Sequence, residues 1–240
     1  MGSAVSGHIY AQILGGQVHW IFGEPDLPQW ADSQMTVTDI TGLSPAPAVG
    51  WSAVETAGVW SFTAPPGPTL ADAQTAQIAR LNAACAAAIE AGFTASINGT
   101  NETVTLSVTD QTNALMAATT GQSALGANAW QASHAYSPNG IVMAGRECFV
   151  TFDGGTSGTA APAWPTDFQV GVADGTVTWY KLGFWLGTAN GNIMVDAASA
   201  VSLFGQGVVF ISTQRAQYQA LKAAVLSATT VAAVQAVVWP

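Results

Sequence analysis

Trp130-Gln-Ala-Ser-His-Ala-Tyr136-Ser-Pro-Asn-Gly140 opens the stretch that decides the architecture of this chain, which continues through Gly154-Gly-Thr-Ser-Gly158 and Pro162-Ala-Trp164-Pro165 to Asp174-Gly-Thr-Val-Thr-Trp179. Aromatic residues alternate here with turn dipeptides, and no 3.6-residue periodicity runs through them. Asn-Gly and Asp-Gly steps between short apolar runs are turn signals with a mechanism, because glycine supplies the positive φ that tight hairpins need. On both sides the chain becomes Ala-rich with helical spacing. Residues 129–182 are therefore read as a small antiparallel β module inserted into a helical domain made of residues 69–128 and 183–240.

The first helix of that host domain is expected to be capped by Thr69, with Asp72 three residues on in a capping-box place. Leu70, Ala73, Gln77, Ile78, Leu81, Ala84, Cys85, Ala88 and Ile89 form its apolar stripe, and Gly92 ends it. Thr103–Val108 alternates like a strand. Asp110 is expected to cap a second helix that Gly121 stops near Thr120. After the insert, Asp196 is expected to cap a short helix through Val201, Leu203 and Phe204. Gly205 and Gly207 mark a bend or close packing between helices, beside a longer helix over residues 208–226, and a last short helix follows Thr229 or Thr230.

The N-terminal residues 1–66 read as a separate antiparallel β module. His8–Leu14 and Gln17–Phe22 flank Gly15-Gly16, a two-residue hairpin signature. Met35–Ile40 alternates as a third strand, and a second hairpin surrounds Thr56-Ala-Gly58. Pro65-Pro66-Gly67-Pro68 ends the module, since it can continue neither a helix nor a ladder. His8 and His19 flank the first hairpin and are placed to face each other across it. The fold class expected is α+β: an N-terminal antiparallel β module and an Ala-rich helical domain interrupted by a small antiparallel β insert.

Charged residues are 8% of the chain and hydrophobic ones 49%, which is the opposite of a disordered composition. Five Lys and Arg against fourteen Asp and Glu give a net charge of −9, which argues against nucleic acid and against an anionic membrane surface. So apolar a chain with so few charges is expected to bury surface in a homo-oligomer or a larger assembly. No run of apolar residues is long enough to suggest membrane insertion, and the N-terminus lacks the pattern of a signal peptide. Cys85 and Cys148 read as buried thiols of a reducing compartment.

Three passages resemble bacteriophage tail-fibre and tail-fibre-assembly proteins. Tyr10-Ala-Gln-Ile, Gly16-Gln-Val, Val37-Thr-Asp-Ile-Thr41, Gly50-Trp51 and Trp60-Ser-Phe62-Thr-Ala-Pro65 are similar to their opening module. Ile78–Ile89 with Gly92-Phe93-Thr and Asp110–Leu115 is similar to the helical domain that follows it. Leu221–Ala228 and Val234–Trp239 resemble that domain's end. The insert resembles a module recurring in phage tail proteins, and its Trp130, Tyr136, Gly140 and Val142 are distantly similar to small chitin-binding modules of bacterial hydrolases. The resemblance implies a structural component of the virion tail, made in the bacterial cytoplasm, docked to other tail proteins and displaying the insert toward host surface polysaccharide. The alternative it implies is a fibre-assembly chaperone absent from the particle. A polysaccharide-binding module of a secreted enzyme is a weaker third reading.

No catalytic, cofactor or metal constellation is recognisable. The three histidines are scattered, there is no nucleophile elbow or phosphate loop, and Gly154–Gly158 lacks the lysine and helix a phosphate loop needs. Glu147, Asp153, Asp167 and Asp174 could in principle supply paired carboxylates, but Asp153 and Asp174 precede glycines and read as turn residues. Aromatic faces stack on sugar rings and anchor interfaces, so the insert's aromatics are the candidate contact surface. Trp130, Phe149 and Trp179 are assigned to its core. Tyr136 and Trp164, with Thr156 and Ser157 of the Gly-Thr-Ser loop, are the candidate contacts.

Overall fold

The computed structural model describes all 240 residues, which divide into two compact units, Met1–Thr69 and Leu70–Pro240. Helices and antiparallel sheets contribute nearly equally, so the class is α+β as expected.

In the first unit, β1 (Gly2–Ser3) and β4 (Gln29–Trp30) form a short ribbon beside a five-stranded antiparallel sheet. That sheet contains β2 (Ile9–Leu14), β3 (Gln17–Gly23), β5 (Thr36–Asp39), β6 (Ser52–Thr56) and β7 (Val59–Thr63), in the order β5-β2-β3-β6-β7. Gly15 and Gly16 both have positive φ, +60° and +75°, the conformation of a two-residue type I′ turn. One sheet face buries Ala11, Ile13, Val18, Ile40 and Ala53. The other carries stacked aromatics, with Tyr10 centred 5.7 Å from Phe22 and 5.2 Å from Trp30.

His8 and His19 do not face each other, because Ile9 pairs with Gly23 and His8 therefore lies past the paired end of β3. The register shifts between Gln12 and Ile13, so that Gln12 pairs with Trp20 and Ile13 with Val18, leaving His19 as the extra residue of a bulge. His8 instead bonds Asp39 through Nδ1 at 2.5 Å, on the neighbouring strand.

The second unit begins with α1 (Leu70–Ala91), which turns at Gly92 (φ +83°) into the hairpin of β8 (Phe93–Ile97) and β9 (Thr100–Val104). A Cβ at Gly92 would also meet the Val104 carbonyl, so both conformation and space demand glycine. Helix α2 (Val108–Ala124) follows. The insert comprises β10 (Ala135–Tyr136), β11 (Gly140–Ala144), β12 (Glu147–Thr151), β13 (Gly155–Thr156), β14 (Gly171–Asp174) and β15 (Val177–Lys181). The chain then forms β16 (Gly183–Thr188), β17 (Gly191–Asp196), α3 (Ala197–Ser227) and α4 (Val231–Gln235).

Several expectations for the host domain are corrected. It is not purely helical, because the two hairpins flanking the insert join into one sheet of order β17-β16-β9-β8. Asp110 is not the cap of α2: Ser107 is, and Asp110 completes a reciprocal capping box by accepting from the Ser107 N–H. Gly121 does not stop α2 but lies inside it, where a Cβ would sit 3.0 Å from the Ala197 carbonyl oxygen, so this glycine lets α2 approach the start of α3. Of the two readings of Gly205 and Gly207, the bend is absent and close packing holds at Gly207, which lies against Phe93 and Leu106; one helix of 31 residues runs from Ala197 to Ser227, capped by Asp196.

The sequence halves on either side of the insert pack together as expected. Leu81 of α1, Val225 of α3 and Val234 of α4 share one core, and Ala117, Leu186, Val195, Ala200 and Leu203 share another. Gln74 on α1 donates to the carbonyls of Val225 and Ala228, tying α1 to the end of α3. No helix is long and apolar enough to cross a membrane.

Asp39 supplies a test of the N-terminal sheet. Hydrogen bonding from Thr41 and then the His8 imidazole hold its carboxyl down to about 2, against an ordinary value of 3.8. A depressed folded-state value means a stabilising contribution that is complete above pH 4 and lost as pH falls toward 2. The stability difference between the native chain and Asp39→Asn, read from urea midpoints, should therefore be largest at neutral pH and close between pH 4 and 2.

Candidate functional site

The insert is built from sequence signals that each fix a piece of backbone. Strands β11 and β12 pair from Gly140↔Thr151 to Ala144↔Glu147, β15 adds to β12, and β14 closes the sheet in the order β11-β12-β15-β14. Strands β10 and β13 form a two-stranded ribbon, Ala135↔Thr156 and Tyr136↔Gly155. Between β13 and β14 the Pro-rich segment carries Trp164 back onto the sheet. Its ring centre lies 4.4 Å from that of Phe149 and 5.9 Å from that of Trp179. Trp130 meets Trp164 edge-on at 6.4 Å, and Tyr136 meets Trp179 edge-on at 4.9 Å. These contacts favour edge-to-face and offset geometries and add to the apolar burial of the rings.

Asp174 sits at the centre of this arrangement and is 5% exposed. Its Oδ2 accepts the indole N–H of Trp130 at 2.8 Å and that of Trp179 at 3.0 Å. Its Oδ1 accepts the backbone N–H of Gly158 at 2.7 Å. One carboxylate thus ties the entrance of the module, its last strand and its glycine loop. Burying a carboxyl is costly unless its oxygens are satisfied, and three N–H donors supply that compensation here. The role of Asp174 as a turn residue before Gly175 is correct but incomplete. The missing signal was the pair of tryptophans, whose indole N–H groups need an acceptor when buried.

The four candidate contact residues are not equivalent. Ser157 is buried, which corrects its assignment to a contact surface. Its Oγ donates to the Gln131 carbonyl at 2.7 Å and accepts the His134 N–H at 2.9 Å, so the hydroxyl closes the module instead of facing outward. Trp164 is half-buried, with its face spent on Phe149. The Tyr136 hydroxyl accepts the Gln131 N–H at 2.7 Å, and its ring lies between His134 and Trp179. Thr156 alone is exposed, beside exposed His134. The core assignments hold: Phe149 and Trp179 are fully buried, and Trp130 packs against them.

The module is joined to its host by a second apolar contact. Cys148 and Ile141 of the insert meet Ala124 of α2 and Ala197 of α3, with Leu182 and Phe184 at the returning strand. Burial, and then the Asp196 carboxylate, push the Cys148 thiol up, as befits a packing residue with little thiolate character. Lys181 pairs with Glu147 across β15 and β12 at 2.5 Å.

A concavity that sequence reasoning missed lies on the host. A cavity of about 330 Å³ opens between α2 and α3 over the host sheet, within the usual size of ligand pockets. Leu106 and Leu186 form its floor, Val108 and Leu115 one wall, and Phe204 and Val208 the other. It has no charged lining residue. No three His, Cys, Asp or Glu side chains anywhere in the chain are grouped as a metal site would require.

No family model, curated protein or solved structure matches this chain.

The placement of the candidate contacts has a direct consequence for stability. Trp164→Ala should cost about 3 kcal/mol, the scale of an aromatic truncation in a packed cluster, whereas Thr156→Ala should stay within about 0.5 kcal/mol. Urea unfolding followed by tryptophan fluorescence measures both; equal costs would contradict the placement.

Proposed function

We propose that this chain is a structural component of a bacteriophage tail, assembled with other tail proteins and with copies of itself, and that it is not an enzyme. The reading is carried by the order of three resembling passages along one chain, each of which coincides with a structural piece. The Tyr10–Pro65 passage spans the N-terminal sheet, Ile78–Leu115 spans α1 to α2, and Leu221–Trp239 covers the end of α3 and α4. The insert leaves the host after α2 and returns at β16 with its own closed core, which suits a module carried by a frame. An uncharged apolar groove and a net charge of −9 suit burial within a protein assembly and not on nucleic acid.

Display of the insert toward host surface glycan is the finer part of this proposal. Its contact edge would be Thr156, His134 and the uncovered part of Tyr136, since Trp164 and Ser157 are engaged inside the module. Such an edge offers polar contacts and one aromatic rim, not an open stacking platform.

Mass spectrometry of purified particles tests the reading. Peptides from both the N-terminal sheet and the insert should be found in the particle at a fixed ratio to other tail proteins. Their absence from particles, with the chain present in infected-cell extract, would instead favour an assembly chaperone.

A further inference from the structure

We infer that β7 is the docking edge of the N-terminal sheet and that a second copy of this chain pairs with it, β7 against β7, antiparallel about a twofold axis at Ser61. Ala57 and Gly58 both have positive φ, +51° and +80°, so a two-residue turn joins β6 to β7 and Thr56↔Val59 is a hydrogen-bonded pair. Such pairs recur at every second position, Val54↔Ser61 and Ser52↔Thr63. Ala53, between them, sends its N–H to the Gly16 carbonyl on the other side of β6, at 2.8 Å. The N–H and C=O groups of Trp60 and Phe62 therefore point away from β6. No strand lies beyond β7 in the sheet, and no other segment of the chain bonds these groups.

An open edge is covered by an extended strand, because a strand supplies backbone donors and acceptors in matching alternation. Folded proteins blunt such an edge with lysine, proline, a bulge or an inward charge. Val59-Trp-Ser-Phe-Thr63 carries none of these, and its register with β6 is unbroken. The opposite edge of the same sheet differs: β5 has four residues and carries Asp39. Trp60 and Phe62 pack on the core of the sheet yet are only half-buried. They stand beside a cleft of about 180 Å³ that Leu43, Pro45 and Trp51 also line.

The register of β7 against itself meets these requirements together. With Ser61 opposite Ser61 of the second copy, Trp60 falls opposite Phe62 of the second copy, and Phe62 opposite its Trp60. Each of those pairs joins residues whose backbone groups face the seam, so each exchanges both of its hydrogen bonds. On the inner face every tryptophan gains a phenylalanine as cross-strand neighbour, and on the outer face Val59 meets Thr63. Charge does not oppose the pairing, since β7 has none. The two copies of Glu55, one strand further in, would stand about 16 Å apart by strand spacing, beyond the Debye length of about 10 Å. Pairing uses up both β7 edges and leaves only the β5 edges outside, so it closes as a dimer.

This inference rests on the self-association in the proposed function but not on the virion location, so particle analysis and its own test can fail separately. Five-residue edges bury little area, which places the affinity in the micromolar range of small interfaces. Sedimentation velocity of the purified full-length chain at about 100 μM should give a species of about 49 kDa, twice the single-chain 24.5 kDa. Amide exchange should slow at Trp60 and Phe62 as concentration rises, while Val59, Ser61 and Thr63, bonded to β6, are protected throughout. Ser61→Lys and Ser61→Glu each set like charges opposite one another at the axis and should weaken association about fivefold, and an equimolar mixture of the two should restore it. A native chain that stays monomeric would overturn the inference and leave the edge to a strand of another protein. So would an associated chain whose Trp60 and Phe62 amides stay unprotected, single variants that associate like the native chain, or a mixture that fails to recover.

Discussion

The acceptance of two indole N–H groups and one backbone N–H by the Asp174 carboxylate is the constraint on which the insert depends. A module of residues 129–182 has little interior, and its strands alone are short. Its core is instead a set of large rings, Trp130, Phe149, Trp164 and Trp179, around one acceptor. Three of those rings carry an indole N–H, and two of them, Trp130 and Trp179, pair it with that acceptor. Their geometry is therefore coupled, since Trp130, Trp179 and the loop at Gly158 all bond the same carboxylate. The functional consequence is subtractive. Aromatic faces engaged in this way are not available as a stacking platform, and what remains outside is a polar edge.

The host solves a different problem, which is to carry an insertion without losing its own core. The chain departs after α2 and returns at Gly183, and the two flanking hairpins meet edge to edge through a single paired position, Thr188↔Val104. So slender a seam is reinforced by packing. α2 crosses the start of α3 at Gly121, Ala117, Leu186 and Ala200 fill the space above the sheet, and Cys148 seats the insert on the same helices. The same helix α3 then extends about 46 Å at 1.5 Å per residue, far enough to reach α1 and α4 at its other end. Between its two packed ends lies an uncharged stretch on which Val208 and Val209 are exposed.

Local chemistry made much of this legible. Gly15-Gly16, the Pro65–Pro68 break, the α1 stripe and Gly92 all announce themselves because each acts over a few residues. The change of periodicity after α2 announces the short strands β10 to β15. Errors arose where one residue has two uses. Gly121 looks like a breaker but serves close packing, the use that was open for Gly207, which is buried against Phe93 and Leu106. Asp110 looks like a cap but is the third helical residue, closing a capping box begun by Ser107. Asn98-Gly99, both with positive φ, was an overlooked hairpin signal that would have revealed β8 and β9. Gly183–Asp196 was concealed by its proximity to a long helix. The burial of Ser157, the role of Asp174 and the groove depend on residues far apart in sequence, and no local pattern encodes them.

The insert is a closed unit locked by one carboxylate. Hydrogen exchange of the tryptophan indole protons, followed by nuclear magnetic resonance on the intact chain, tests it most directly. The indole protons of Trp130 and Trp179 and the amide proton of Gly158 should exchange together, as slowly as the amides of β12 and β15, because all three are released only when the module opens. Rapid exchange of the Trp130 indole while Trp179 stays protected would contradict it, showing an open entrance whose aromatic ring is free to meet a ligand.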